Sequence, residues 1–143
     1  MPGHFSILPV AWESNRRDLL AVRREVFVLE QGVPEEIEID EHDSASLHFL
    51  AVDADNVPIG TARLLPDGKV GRMAVLSPWR RCGVGRSLMM AAIEAARQQG
   101  KMGLHLHAQV HSIRFYESLG FEVRGEEFEE AGIPHREMHR PLP

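Results

Sequence analysis

Two glycines and three arginines stand together where a helix is about to begin. The stretch Arg80-Arg81-Cys82-Gly83-Val84-Gly85-Arg86 follows an apolar segment and a turn, and it precedes residues with helical periodicity. Glycines let the backbone approach a ligand closely, and the free N–H groups of a first helical turn attract anions. The arrangement therefore predicts a site for a phosphate or pyrophosphate.

Two familiar phosphate motifs do not fit this spacing. A Walker loop ends in Gly-Lys-Ser/Thr, a tripeptide that the sequence lacks. A dinucleotide-binding fingerprint would need a third glycine where Leu88 stands, and it would open a βαβ unit rather than follow a run of antiparallel strands. The spacing that is present is Arg-x-x-Gly-x-Gly, from Arg80 to Gly85.

The tyrosine and the histidines are the other candidates for chemistry. Tyr116 is the only tyrosine in the chain, and it lies four residues before Gly120, which is expected to end a short helix. From the residues alone it is either a packed aromatic side chain or a proton donor. Several histidines gather late in the chain, but their spacing matches no paired zinc signature, so we expect no metal site. They are His105, His107, His111, His135 and His139.

Hydrophobic periodicity and turn residues predict the elements that position these groups. The order is β-α-(α)-β-β-β-α-β-α-β-β, which indicates one mixed α/β domain over residues 1–143. A helix capped at Ser14 or Asn15 is expected to continue to Gly32. Residues 33–46 are expected to be irregular, with room for one short helix. The predicted strands are 5–10, 47–54, 57–65, 69–76, 102–110 and two within 121–142 around Ala131-Gly132, and the later helices are 83–99 and 111–120.

Three parts of the sequence resemble the GNAT superfamily of N-acyltransferases. The Arg-x-x-Gly-x-Gly loop, in its strand-to-helix setting, is similar to the acyl-CoA-binding loop of that family. A second signature of the family resembles AQVHSIRFYESLGF, although Gln109 stands where many members have Asn. The ElaA-like branch in particular resembles RREVFVLEQGVPEEIEIDEHD and EEAGIPHREMH. Cys82 departs from a loop position that is often basic. The resemblance implies a central, mostly antiparallel sheet flanked by helices.

The resemblance also implies a reaction, in which acetyl passes from acetyl-CoA to a primary amine of a small molecule or peptide. The amine attacks the thioester directly through a tetrahedral intermediate, and no metal takes part. Tyr116 would be the general acid, and a backbone N–H near Val75 the oxyanion donor. The resemblance names no base; among the residues themselves, Glu30 or His107 is a candidate, acting directly or through water. The strand 73–75 would pair with the pantetheine arm. The implied cofactor-binding residues are Met73, Ala74, Val75, Arg80, Arg81, Cys82, Gly83, Val84, Gly85, Arg86, Ser87 and Gln109.

A different class of function stays open beside the enzyme. A CoA-binding regulatory or interaction module could keep the same fold without turnover, because a fold does not determine an activity. The retained Tyr116 favours the enzyme. The sequence does not decide between a monomer and a homodimer.

Composition and charge exclude several other classes. The chain has 143 residues, a net charge of −5 and one cysteine, with 43% hydrophobic residues. We therefore expect a cytoplasmic protein that binds neither nucleic acid nor membrane. From Glu25 to Ala62 the sequence has many carboxylates and no Lys or Arg. This acidic run is either a solvated face or a wall of negative potential, and the second alternative predicts a preference for cationic amines.

Overall fold

Seven strands form one sheet in the part of the chain that the structure, a computed structural model, describes: residues 3–34 and 40–142. The order across the sheet is β1-β2-β3-β4-β5-β7-β6. Every neighbouring pair is antiparallel except β4 and β5, which are parallel. The strands are β1 Phe5–Val10, β2 Leu47–Asp53, β3 Pro58–Leu64, β4 Lys69–Val75, β5 Gly103–Gln109, β6 Glu122–Glu130 and β7 Ile133–Pro141.

Within residues 3–34 and 40–142, three α-helices accompany the sheet: α1 Trp12–Arg23, α2 Val84–Gln98 and α3 Ile113–Glu117. A π-helical segment, Arg24–Glu30, extends α1, and short 3₁₀ turns precede the other two helices. This order confirms the predicted mixed α/β fold. The short helix allowed within 33–46 falls partly on residues 35–39, which lie outside the described residues. No helix in the described residues is both long and apolar enough to cross a membrane.

β2 is buried on both of its faces. Successive side chains of a strand point in opposite directions, so neighbouring residues of β2 pack against different elements. In β2, Phe49 and Ala51 pack in the cluster that contains the apolar face of α2. Leu50 and Val52, between and beside them, pack with α1 residues such as Trp12. β2 is therefore a nearly continuous apolar run, and helices cover it on both sides.

The parallel seam between β4 and β5 is short. Among the described residues the two strands pair only at Lys69 with His105 and at Val70 with Leu106. β4 continues to Val75 and β5 to Gln109, so their last residues diverge. The divergence leaves a wedge-shaped gap in the middle of the sheet.

A bulge in β4 begins just after the paired residues. Arg63 pairs with Gly71 and Thr61 with Ala74, so two residues of β4 oppose one of β3. Arg72 has a φ of 49°, which is unusual outside glycine, and its carbonyl accepts a hydrogen bond of 3.0 Å from the Thr61 hydroxyl. The bulge bends β4 away from β5, and the hydroxyl of Thr61 stabilises the bend.

The first helix begins earlier than the sequence predicts. Its cap is Ala11 rather than Ser14 or Asn15, and no side chain caps it. The Asn15 amide instead donates to the Ala11 carbonyl at 3.3 Å, from inside the first turn. Polar residues near a helix start favour a cap, but burial of Trp12 against β2 sets the true boundary.

Candidate active site

The gap between β4 and β5 opens into three adjoining cavities, of which the largest is about 690 Å³. We call it the loop cleft, because the 80–86 loop forms one end of it. Met73, Ala74 and Val75 of β4 lie on one side, and Gln109, Phe115 and Tyr116 lie on the other. Its lining combines the two segments that resemble family signatures. Nine residues named from the sequence as cofactor contacts border it: Met73, Ala74, Val75, Arg80, Arg81, Gly83, Gly85, Arg86 and Gln109.

The backbone of Val75 faces this cleft. Leu76 donates its N–H to the Ile59 carbonyl at 2.9 Å, on the β3 side. In an antiparallel pair adjacent residues alternate in direction, so the N–H and C=O of Val75 point away from β3. The Val75 carbonyl accepts a hydrogen bond of 2.9 Å from Nε of Arg80, which agrees with that direction. The exposed edge of β4 therefore has backbone groups suited to an extended ligand.

The glycine loop places the N-terminus of α2 at the end of the cleft. Gly83 caps the helix with a φ of 85°, a conformation that favours glycine. The N–H groups of Val84, Gly85 and Arg86 precede the first helical hydrogen bond. Ser87 differs from the expectation, because its N–H donates to the Gly83 carbonyl at 3.0 Å and is already used within the helix.

Two further loop residues differ from their expected positions. Val84 is buried, and its side chain packs with the core cluster. Cys82 is half-buried, and its Sγ lies 3.4 Å from the Arg80 carbonyl, away from the cleft lining. The side chains of Cys82, Val84 and Ser87 therefore shape the loop, whereas Arg80, Arg81 and Arg86 border the cleft.

Glu30 and Arg80 form an ion pair beside the loop cleft. Both Arg80 terminal nitrogens donate to the Glu30 carboxylate at 2.6 Å. These hydrogen bonds hold the pKa of Glu30 below its ordinary value. Glu30 is therefore a weaker base than a free glutamate, which argues against the base role considered for it from the sequence.

Tyr116 lies at the inner end of the cleft, on α3. It is 8% exposed and packs edge-on against Phe115 and Phe121, at centroid distances of 5.0 and 6.0 Å. Burial raises the pKa of its hydroxyl above the ordinary value, so the group stays protonated at neutral pH. A protonated phenol at this position can donate a proton to a group in the cleft.

A small cavity of about 130 Å³, the middle cavity, continues inward from Tyr116. His107 of β5 and Glu130 of β6 also line it. Nδ1 of His107 lies 2.8 Å from the Glu130 carboxylate. Burial would raise the pKa of Glu130, but the hydrogen bond and charge of His107 outweigh it and lower the pKa. The tyrosine and the histidine named from the sequence thus border one cavity.

The third cavity, the far cavity, has a volume of about 500 Å³. It adjoins the other two, because Phe27 and Gln109 line all three. The π-helical segment supplies Phe27, and Gln31 just beyond it bonds Gln109 across the junction at 2.9 Å. π-helical turns are often found at functional sites.

Within the described part of the acidic run, Glu30, Asp40 and Asp43 are paired with arginines. Asp40 accepts hydrogen bonds from Arg63 at 2.7 Å and from Arg72 at 3.1 Å, and both arginines come from neighbouring strands. Glu30 is paired with Arg80 as described. Cations outside 25–62 therefore neutralise these two carboxylates, which the sequence alone did not indicate. Glu35, Glu36 and Glu38 lie outside the described residues.

Asp43 anchors this network in the interior. Its carboxylate, 2% exposed, accepts hydrogen bonds from Arg23 at 2.8 and 3.2 Å and from Arg63 at 3.0 Å. Burial would raise the pKa of Asp43, but the two guanidinium groups outweigh that effect and lower it. Nε2 of His48 donates a hydrogen bond to the Asp43 backbone carbonyl at 2.8 Å, and burial lowers the pKa of the His48 ring.

Metal coordination has no candidate site in the residues described. No group of three or more His, Cys, Asp or Glu side chains in 3–34 and 40–142 could hold an ion. His105 stacks near His139 at 5.8 Å, and His107 is engaged with Glu130. These histidines therefore interact with one another and with carboxylates.

Comparison with known proteins identifies the family in which this helix terminus and the diverging β4–β5 pair occur. The model of the acetyltransferase (GNAT) domain family matches residues 13–142. The chain belongs to the GNAT acetyltransferase family. It is 42% identical over 130 residues to the uncharacterised N-acetyltransferase YjcF of Bacillus subtilis, covering 88% of this chain and 92% of that protein. It is 34% identical over 132 residues to protein ElaA of Escherichia coli, covering 87% and 86%.

Solved structures agree with this family assignment. The crystal structure of Escherichia coli ElaA superimposes with a TM-score of 0.84 at 31% identity, covering 96% of this chain and 99% of that one. An acyl-CoA N-acyltransferase from Pseudomonas aeruginosa gives a TM-score of 0.85 at 30% identity, covering 96% and 99%. The resemblance to the GNAT family, and to its ElaA-like branch, is confirmed.

Several lining residues were missed by the sequence reasoning. Phe27 and Gln31 reach the cavities only because the helix changes to π geometry at Arg24. Arg63, Lys69 and Glu130 lie on strands whose register decides which side chains share a cavity. Alternation along 122–130 could have placed Glu130 on a common face with Phe128, but not beside His107.

Proposed function

We propose that this protein is an acyl-CoA-dependent N-acyltransferase that transfers acetyl from acetyl-CoA to a primary amine. The observation that carries the proposal is the meeting of the loop cleft and the middle cavity at Tyr116, which lines both. The loop cleft, which ends at the anion-attracting helix terminus, meets the middle cavity at that residue. A donor thioester and an acceptor amine can therefore meet beside a proton donor.

The donor lies in the loop cleft. The N–H groups of Gly85 and Arg86, with the side chain of Arg81, bind the pyrophosphate at the helix N-terminus. The pantetheine arm runs along β4 and pairs with the backbone of Met73 and Val75. Arg80 must leave the Val75 carbonyl for that pairing, and it then becomes available to a phosphate.

The transfer begins when the amine nitrogen attacks the thioester carbonyl carbon. The Val75 N–H, which faces the cleft, stabilises the oxygen as it becomes negative. When the tetrahedral intermediate collapses, the C–S bond breaks and the thiolate takes a proton from Tyr116. The buried phenol remains protonated until that moment because its pKa is raised.

His107 is the better of the two bases named from the sequence. It borders the same middle cavity as Tyr116, whereas Glu30 is bound to Arg80. The Glu130 carboxylate beside Nδ1 favours the tautomer with a proton there, which leaves Nε2 basic. His107 takes the proton that the amine loses, directly or through water.

The competing proposal is a CoA-binding module without turnover, and one experiment separates the two. Thiol release from acetyl-CoA is measured with a panel of primary amines, beside calorimetric titration of CoA. We expect amine-dependent release, and a fall of about 10²–10⁴-fold in Tyr116→Phe with CoA affinity retained.

Two controls make this experiment decisive. Thermal melting of Tyr116→Phe must match the parent protein, because the ring contacts with Phe115 and Phe121 are preserved. His107→Gln should also slow turnover and flatten its rise with pH. CoA binding without release for any amine would support the silent module, and a full-rate Tyr116→Phe would remove the general acid.

A further inference from the structure

The charged side chains that line the far cavity differ in whether they have hydrogen-bond or ion-pair partners. This difference indicates which charge the acceptor carries. Three carboxylates line it, and each has a partner among the described residues. Asp40 is held by Arg63 and Arg72, and Glu130 by His107. Asp67 accepts the Lys69 backbone N–H at 2.9 Å and lies 3.8 Å from His105. The negative side of the lining is therefore engaged.

Two hydrogen-bond donors on positively charged side chains of the lining lack such a partner among the described residues. Arg63 is 5% exposed, and its Nε is buried without a hydrogen-bond partner among the described residues. The ammonium of Lys69 makes no ion pair within 4.0 Å in residues 3–34 and 40–142. A buried donor without a partner costs about 1–3 kcal/mol, and such groups are rare in folded proteins. Both side chains border the far and the middle cavity.

The geometry points to an acceptor amine that also carries a carboxylate, which the Lys69 ammonium binds and the charge of Arg63 attracts; this inference rests on the proposed N-acyltransferase function. Lys69 pairs with His105 across the seam, and His107 follows two residues later on the same face of β5. Two residues of a strand span roughly 7 Å, a length that the flexible lysine stem can cross. The amine and the carboxylate are therefore separated by only a few bonds, as in an amino acid.

A single carboxylate fits this cavity better than a phosphate. Asp40, Asp67 and Glu130 line the same cavity, so each further negative charge on the ligand would add repulsion. This inference reverses the preference for cationic amines that the acidic run suggested. A cationic acceptor would have to approach Lys69 and Arg63, while the nearby carboxylates are already occupied.

Matched acceptors test the inference. L-phenylalanine, L-phenylalaninamide and phenethylamine share a side chain and differ at the carboxylate. We expect kcat/KM for thiol release to be at least tenfold higher with the acid than with either analogue. The amide has the less basic and hence more readily deprotonated amine at neutral pH, so amine reactivity alone would give the opposite order.

Variants then assign the preference to Lys69. Lys69→Met should bring the ratio of acid to amide close to one, and Lys69→Arg should restore most of it. Lys101→Met is the matched control, because it also removes a lysine charge, but the Lys101 ammonium bonds the Pro66 carbonyl and lies outside the far cavity. The control should keep the parent ratio.

The outcomes separate this inference from the proposed function. Thiol release that is equal or faster with the amide or with phenethylamine overturns the carboxylate site and leaves the transferase intact. So does a preference for the acid that survives in Lys69→Met. If no amine is acetylated although CoA binds, the proposed function fails. The carboxylate site is then tested separately by titrating L-phenylalanine into the parent protein and into Lys69→Met. If L-phenylalanine does not bind the parent protein, the carboxylate site is overturned.

Discussion

Removal of the Asp43 carboxylate should be among the most destabilising single changes in this protein. Asp43→Ala leaves the buried guanidinium groups of Arg23 and Arg63, which are 1% and 5% exposed, without the carboxylate they share. Breaking one side of a buried ion pair costs about 3–5 kcal/mol, a large part of the ~5–15 kcal/mol that stabilises a typical domain. At about 3 °C per kcal/mol for a chain of this size, the melting temperature should fall by about 9–15 °C.

Urea unfolding followed by circular dichroism gives the free energy directly. Asp43→Asn keeps the shape and one acceptor, so its loss should be smaller than that of Asp43→Ala. Asp55→Ala is the control, since Asp55 lies in an exposed turn and should change stability by less than about 0.5 kcal/mol. If Asp43→Ala and Asp55→Ala unfold with equal free energies, the network does not stabilise the fold and the reasoning is refuted.

Three other changes have defined outcomes. Glu30→Gln should tighten CoA binding several-fold in calorimetry, because Arg80 loses a competing carboxylate; weaker binding would contradict the phosphate role of Arg80. Gly85→Glu should abolish CoA binding without unfolding, because a Cβ there meets Phe115 and Met73 at ordinary distances of 3.6 and 3.9 Å; unchanged affinity would exclude the loop. The lowered pKa of Asp43 predicts stability that is constant above about pH 5 and falls below about pH 4, as the carboxylate is protonated; urea titrations that show no such fall, or the same fall in Asp43→Asn, would contradict it.

The fold was largely predictable because its signals are local. Asp67-Gly68 and Ala131-Gly132 mark hairpin turns, and Gly68, Ala131 and Gly132 all have positive φ. The apolar stripe of α2 predicts its buried face. The start of α1 was not predictable, because Asn15 offers a plausible cap and only the packing of Trp12 moves the boundary to Ala11.

The candidate site was predictable only where one segment contributes it. The glycine loop and the helix of Tyr116 are contiguous in sequence, so their motifs could be recognised. The pairing of Asp40 with Arg63 and of Glu30 with Arg80 joins residues 23 and 50 positions apart. No local pattern encodes such contacts, so the sequence could not show which of these carboxylates are paired.

The short β4–β5 seam makes the stability of the fold depend on the concentration of the donor. Among the described residues, only two residue pairs join β1–β4 to β5–β7 directly across the sheet. β4 ends with the backbone of Val75 facing the loop cleft, where Arg80 is the partner of its carbonyl. A ligand that pairs with this edge of β4 and also contacts α3 connects β1–β4 to the part of the fold that contains β5–β7. At a concentration one hundred times its dissociation constant it would add about 2.7 kcal/mol to the folded state. The lifetime of the protein in a cell would then rise with the concentration of acyl-CoA. At low acyl-CoA concentration a larger fraction of the protein would be unfolded and degraded.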